Sequence, residues 1–376
     1  MREHDYQRRF LVVSERTCWD ICIRALLNRN MDNLSRREFL KCSALLSAGM
    51  AIDVRKDLSA NALLYQSSAS TDKLGRVLSN GSNSFYQPKF SANVNLTYQE
   101  NDVLSLQEAL IINQESNIKS LWYRLEDNSY LHSREIQPVV NQLNAPNLEV
   151  GGSGRLAEVT VPFTDAWSSS SNGKKPNQIF YFGTVHWVYG LGQDEEKNYY
   201  YMVKEDRWSD LYYVDASHMR IISEEELQPI SPLSSQDEKK ISIDLRQQLM
   251  IAYENGEPVF ISPVASGLLT GSADMTTPTG SFVINYKRPS RHMVHGERFG
   301  ANGNELFGVP WVSYFTDTGI AFHGTYWHND FTRPRSHGCI NLPIQAAKWV
   351  YLWSYPAISP RQEKHVSPYG TLVEII

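Results

Sequence analysis

Between Ala321 and Pro343 the chain reads AFHGTYWHNDFTRPRSHGCINLP, which holds three of its ten histidines and the last of its four cysteines. A thiol with the ordinary pKa of about 8.5 is only a few per cent ionised at neutral pH, so a nucleophilic cysteine needs a device that favours the anion. Two devices can be read from these residues. Cys339 closes a Ser-His-Gly-Cys turn that leads through Asn341 and Pro343 into a predicted helix, whose N-terminal amides and dipole favour negative charge. His323, at the end of a neighbouring predicted strand, is placed to act as the base. Gly338 suits a tight turn that aims successive main-chain N–H groups at one point. The amides of His337, Gly338 and Cys339 would then hold the oxyanion formed when a carbonyl is attacked.

Two other chemistries use the same residue types. His323, His328, His337 and Cys339 could ligate zinc, but His-x4-His pairs a metal from a helix, and HGTYWHND reads as strand end and loop. A papain-like peptidase would carry Cys-Gly-Ser/Ala-Cys-Trp/Tyr, which is absent, and here the histidine precedes the cysteine. No metal is therefore expected. Arg291, His292 and His295, in SRHMVHGERF, either meet a substrate carboxylate or belong to a solvated surface loop. His132, His186, His218 and His365 lie outside the motif and are expected to be structural or exposed.

The elements that must position this chemistry are mostly strands. From Lys240 the chain alternates short β-type runs with turns: KISIDLRQQLMIAYENGEPVFISPVASG, TTPTGSFVINYK, FGVPWVSYF, TGIAFHG and a closing YGTLVEII. Ile344 to Tyr355 has helical spacing of its apolar residues, with Pro343 in the first turn and Pro356 as the stop. Upstream, NAPNLEVGGSGR and SPLSSQDEKK read as interdomain linkers, and WSSSSNGKKPN as a loop. Leu121–Val139 and Tyr199–Ile230 each run aromatic strand, acidic turn, aromatic strand and a segment closing on Gln-Pro, a weak internal repeat typical of small β-barrels. The 376 residues allow two or three domains, and 20 Tyr with 9 Trp favour a mainly β protein.

Charge and cysteine usage limit the partners. The net charge is −5, with nine Lys/Arg against six Asp/Glu in residues 1–50, so the body is acidic and nucleic acid is not expected to bind it. LSRREFLKCSALLSAGMA, from Leu34 to Ala51, resembles a twin-arginine export signal; its apolar part is shorter than the roughly 20 residues of a membrane span. Met31 would be a natural start for it, and cleavage after Ala51 or Ala60 would leave Cys339 as the one remaining thiol, because Cys18, Cys22 and Cys42 precede both sites. The membrane would be touched only through an uncleaved signal.

His-Gly-Thr followed by Ser-His-Gly-Cys-Ile-Asn, with twelve residues between His323 and Ser336, resembles the signature of the L,D-transpeptidase (YkuD-like) catalytic domain family, and the flanking ISIDLRQQLMIAYENG, TTPTGSF and GTLVEII follow in that family's order. The resemblance covers residues 239–376. It implies a β-sandwich with a short helix after the catalytic turn, Cys339 as nucleophile, His323 as base and the Gly324 carbonyl as the base's orienting partner. His337, Gly338 and Cys339 would supply oxyanion amides, and Tyr326, Trp327, Ser336 and Asn341 would line the substrate groove. Thr332 stands where related sequences often have Gly. Family members need no cofactor and act on peptidoglycan stem peptides, attacking the third residue of a donor tetrapeptide and expelling D-alanine. A transpeptidase and an L,D-carboxypeptidase share that half-reaction. The repeats, over 74–143 and 155–230, resemble bacterial SH3-like modules, which bind wall polymers or act as spacers. With a leader over residues 1–60, the expectation is an exported enzyme of the cell envelope; a non-catalytic wall-binding protein would instead show a broken motif.

Overall fold

The computed structural model describes residues 74–113, 119–168, 176, 178–232, 234–268, 275–295 and 304–376. The leader expected over 1–60, with its twin-arginine-type segment and three cysteines, lies outside them.

Short strands broken by turn residues build two seven-stranded sheets in the N-terminal half. The first contains β1 (Leu74–Val77), β2 (Ser82–Phe85), β3 (Val94–Tyr98), β4 (Val103–Asn113), β5 (Lys119–Leu125), β6 (Tyr130–His132) and β7 (Ile136–Val139). The second contains β8 (Arg155–Val159), β9 (Phe163–Ser168), β10 (Gln178–Tyr181), β11 (Val185–Gln193), β12 (Tyr199–Lys204), β13 (Leu211–Asp215) and β14 (Met219–Ile221). Their strand orders, β3-β2-β6-β5-β4-β1-β7 and β10-β9-β13-β12-β11-β8-β14, are the same order shifted by seven. Each also places a 3₁₀ turn before its last strand, at Ser133–Glu135 and Ala216–His218. The repeat seen in Leu121–Val139 and Tyr199–Ile230 therefore marks one barrel-like topology used twice.

The C-terminal half pairs two five-stranded sheets. One is β17-β16-β15-β24-β18, from β15 (Lys239–Asp244), β16 (Leu249–Glu254), β17 (Glu257–Pro263), β18 (Gly280–Val283) and β24 (Leu372–Ile375). The other is β22-β21-β20-β19-β23, from β19 (Tyr286–His295), β20 (Asn304–Tyr314), β21 (Ala321–Gly324), β22 (Ile340–Leu342) and β23 (His365–Val366). The helix α1 (Ile344–Trp353) follows β22 and buries Ala346, Ala347, Val350, Tyr351 and Trp353. The protein is mainly β, as its aromatic and β-branched runs imply.

Two buried lysines fix the end of α1. Lys287 Nζ donates to the carbonyls of Tyr351, Ser354 and Pro356, and Lys239 Nζ to those of Trp353, Ser231 and Ile230. The carbonyls of Tyr351 and Trp353 are among those the helix leaves without internal partners, and a cation there also complements the dipole. The linkers do not isolate the modules. One apolar core joins Leu156, Val185, Trp187, Ile222 and Leu227 of the second barrel to Ile241, Trp311, Phe322 and α1 of the C-terminal sheets.

Candidate active site

The parallel pairing of β21 with β22 brings the two halves of the motif together. Phe322 pairs with Ile340, His323 with Asn341 and Gly324 with Leu342, so His323 lies opposite the residue two places after Cys339. Paired residues of neighbouring strands point to the same face. Cys339 is a half-buried free thiol; its Sγ lies 3.9 Å from the Gly319 carbonyl, and it packs in the same apolar cluster as Tyr314 and Trp327. The Trp327 ring is 5.6 Å from that of His323.

The Ser-His-Gly-Cys turn is staked from below. Gly338 has φ +113°, a conformation side chains rarely adopt, and a Cβ there would come within 3.3 Å of Ile320. Thr277 Oγ1 donates to the Gly338 carbonyl at 2.7 Å and accepts from Gly267 N at 2.8 Å. Ser336 N donates to Ser266 O at 2.9 Å, and Leu268 N to Ser336 O at 3.0 Å. Gly267 must lack a side chain, since its Cβ would sit 2.9 Å from Gly338 Cα and 2.5 Å from Met275 O. Thr277, in the TTPTG segment, thus has a role that no local pattern reveals.

Burial decides the protonation states. His323 is buried and its imidazole is pushed down to about 4 by desolvation, against the opposing effect of its bond to Gly324. Its Nδ1 lies 3.1 Å from the Gly324 carbonyl, an acceptor, so the neutral ring carries its proton on Nδ1 and presents the Nε2 lone pair. The Cys339 thiol is pushed up to about 11 by burial, offset only in part by a main-chain hydrogen bond from Ala321. The expected thiolate is therefore corrected: β22 intervenes between Cys339 and α1, whose N-cap is Pro343, and the helix-terminus effect fades within one turn. Desolvation thus favours a thiol and a neutral imidazole as the resting pair. Alkylation of Cys339 by iodoacetamide at pH 7 is expected to run about 10²-fold slower than that of free cysteine, and to accelerate as pH rises toward 11. Rates measured by mass spectrometry at pH 7 and 9.5 check this; equal rates would mean that the sulfur is already ionised.

Several residues expected at the substrate groove have other duties. Tyr326 is buried against the second barrel, its ring 5.4 Å from that of Tyr181, and its carbonyl accepts from Arg76 Nη2 of β1 at 2.6 Å. Ser336 is buried too: its Oγ donates to the Cys339 carbonyl and accepts from Gly338 N at 3.1 Å. That bond engages the Gly338 amide, one of the three expected oxyanion donors, within the turn. Asn341 is buried and meets His328 Nε2 at 2.8 Å. Trp327 alone of the four stays half-buried beside the motif.

His328 completes a relay to the strand that follows Cys339. Burial lowers its imidazole to about 3, and its Nδ1 accepts from Asp330 N at 3.3 Å. The proton of the neutral ring is then on Nε2, so Asn341 presents Oδ1 to it, which also supplies that otherwise unpartnered oxygen with a donor. The ring nitrogens of His328 are thus both engaged in hydrogen bonds. Among the described residues, no group of three His, Cys, Asp or Glu side chains is disposed to hold a metal ion.

The barrels hold the loop between the two halves of the motif. Besides Arg76, Asn329 Nδ2 donates to Ser133 O at 3.3 Å and Ile136 O at 3.2 Å in the first barrel. Arg291 and His292 lie on β19, not on a surface loop: Asp206 of the second barrel accepts from Arg291 Nη1 and from His292 N, each at 2.6 Å. A cavity of about 640 Å³ is lined by Tyr314 and Gly319, both neighbours of Cys339, together with Tyr286, Arg291, Met293 and, from the second barrel, Arg207 among others.

Residues 238–375 match the family described as YkuD, the L,D-transpeptidase catalytic domain. They are a catalytic domain of that family. A curated Bacillus subtilis (strain 168) protein named "Putative L,D-transpeptidase YciB" is 30% identical over 121 residues, which cover 30% of this chain and 58% of the relative. The chain thus spans less than two thirds of that relative's length. Among solved structures, an Enterococcus faecium L,D-transpeptidase C442S mutant is 22% identical, with 39% of this chain and 51% of that chain covered, at a TM-score of 0.28. An L,D-transpeptidase from Mycobacterium smegmatis is 15% identical, with 68% and 90% covered, at a TM-score of 0.30. Within this YkuD domain lie His323, Gly324, the Ser-His-Gly-Cys turn and its Thr277 support.

Proposed function

We propose that the YkuD domain is a peptidoglycan L,D-transpeptidase that works through a cysteinyl thioester on Cys339. The observation that carries this reading is the neutral His323, oriented by the Gly324 carbonyl on the strand paired with the one that Cys339 opens. As Sγ attacks the carbonyl of the third residue of a donor stem, His323 Nε2 takes the thiol proton, so no thiolate need accumulate beforehand. Main-chain amides of the Ser-His-Gly-Cys turn hold the oxyanion. Collapse of the tetrahedral adduct breaks the peptide bond, and the Nε2 proton passes to the departing D-alanine amine. The amine of a second stem then attacks the thioester, gives its proton to Nε2 and forms the cross-link, returning the sulfur as a thiol. Water in place of that amine makes the same site an L,D-carboxypeptidase.

We read the first sixty residues as an export leader and the activity as one of the cell envelope, where stem peptides are found. The barrel-like modules are read as SH3-like holders of the catalytic loop, with wall polymer as their candidate ligand. Exposure of the full chain to a carbapenem followed by mass spectrometry tests the site: one adduct per chain, on Cys339, is expected. No adduct, or adducts at other residues, would overturn the nucleophile. Tetrapeptide muropeptides then separate the two outcomes, since dimers report transpeptidation and tripeptides hydrolysis.

A further inference from the structure

The cavity beside Cys339 is not built by the YkuD domain alone. Its floor comes from β19 and β20, through Tyr286, Met293 and Tyr314, but one lip carries Arg207 from the turn between β12 and β13 of the second barrel. That turn is rigidly seated. The Glu205 carboxylate accepts from the main-chain N–H groups of Arg207, Trp208 and Asp210 at 2.8, 2.6 and 3.0 Å, and meets His292 Nδ1 at 2.8 Å. Asp206, the next residue, is buried between Arg288 at 2.7 Å and Arg291 at 2.6 Å. Arg207 is thus flanked by two anchors and presented to solvent at a fixed place.

The charges decide what this lip would hold. Asp206, Glu205 and Glu305 lie against Arg288, Arg291 and His292 in one network, and of these Arg291 brings a positive group to the cavity lining. Arg207 adds another: it is exposed, and its guanidinium lies over the Trp208 ring at 5.4 Å rather than against a carboxylate of the described residues. Asp317, on the turn between β20 and β21, also lines the cavity and accepts from Asn285 Nδ2 at 3.4 Å. A lining of mixed sign with a small positive excess suits a single carboxylate on a peptide and disfavours a polyanion. A guanidinium also matches a carboxylate in its planar, two-pronged geometry.

We propose that Arg207 makes the second barrel part of the substrate site, as a specificity residue that takes a carboxylate of the peptide entering the cavity toward Cys339. The inference rests on the stem-peptide reading above and names a group of that substrate. It also assigns the second barrel a contribution to substrate choice in addition to its packing.

The test is equilibrium binding, so that it stands apart from turnover. Full-length Cys339→Ala protein is titrated by calorimetry with a synthetic stem tetrapeptide ending in D-alanine, and with versions in which each carboxylate in turn is converted to carboxamide. One amidated peptide is expected to bind roughly tenfold more weakly than the free acid. Adding Arg207→Gln is expected to bring that ratio to about one, and Arg207→Lys to restore part of it. Raising salt is expected to narrow the ratio, because the pair is exposed. A preference that survives Arg207→Gln, or that no amidation alters, would overturn the assignment. If the carboxylate preference depends on Arg207 while wild-type protein neither releases D-alanine nor forms an adduct at Cys339, the reaction fails and the carboxylate site stands. If turnover proceeds with equal use of free and amidated peptides, the reverse holds.

Discussion

Cys339→Ala is expected to abolish D-alanine release from a stem tetrapeptide, a loss of about 10⁴-fold or more, because the acyl bond of the proposed reaction is made by the Cys339 sulfur. His323→Gln is expected to cost about 10² to 10⁴-fold in kcat, since glutamine occupies a similar volume but cannot accept the proton. The two losses should not add: a base has nothing to activate once the sulfur is gone, so the double variant should match Cys339→Ala alone. The pH profile carries a second signature. With the imidazole at about 4, the basic form of His323 persists down to about that pH, and kcat/KM should fall only as pH drops through it. A fall centred near 6.5, the value of an ordinary imidazole, would show that His323 is not the buried group described above. Release of D-alanine measured by chromatography, for three variants over pH 4 to 8, decides the matter.

The second large effect is on stability. His132, His186, His323 and His328 are all buried, and desolvation lowers their imidazoles from 6.5 to about 3, 3, 4 and 3. Between pH 6.5 and 4 the unfolded chain binds protons at these positions and the folded chain does not. Stability therefore falls as pH falls through that window, by up to about 1.4 kcal/mol per pH unit for each histidine. Four such groups acting together would remove on the order of 5 kcal/mol between pH 6.5 and 5, a large share of the 5–15 kcal/mol typical of a domain. Glu205 acts in the same direction at lower pH: despite its burial, hydrogen bonds from His292 and the turn amides hold it at about 2, so its contribution is lost as pH falls below 4.5. Urea midpoints at pH 7 and 5 provide the check. Equal midpoints would mean that the four rings are protonated in the folded protein.

The anchoring of the catalytic loop gives these two effects a common origin. Arg76, Asn329, Tyr181 and Tyr326 tie the segment after His323 to both barrels, and the network around Glu205, Asp206 and His292 ties β19 to the second. The burial that leaves His323 neutral and the thiol protonated also makes the fold acid-sensitive. Arg76 shows the same trade: burial lowers its guanidinium to about 10, yet its bonds to Gln137, Asn101 and the Tyr326 carbonyl satisfy its donors.

The sequence by itself indicated short strands, a helix from Ile344 to Tyr355 that the structure ends at Trp353, a repeat behind the two barrel-like sheets, and the family to which the motif belongs. Each is written in local spacing: period-two alternation, a proline-bounded helical stripe, a repeated aromatic pattern, and a histidine and cysteine carried by short glycine turns. Tertiary structure alone decided the protonation of Cys339 and His323, because a pKa depends on how much water the fold removes, and neighbours in sequence do not report that. It also decided that Ser336, Tyr326 and Asn341 serve as scaffold, since their partners lie in Ser266–Leu268, in β1 and β10, and at His328. For Arg291 and His292 the sequence left open a substrate carboxylate or a solvated loop; the structure gives them Asp206 and Glu205, from eighty-five or more positions away, as partners. Long-range pairing of charges and amides leaves no periodic mark in the chain, and that pairing shapes this site.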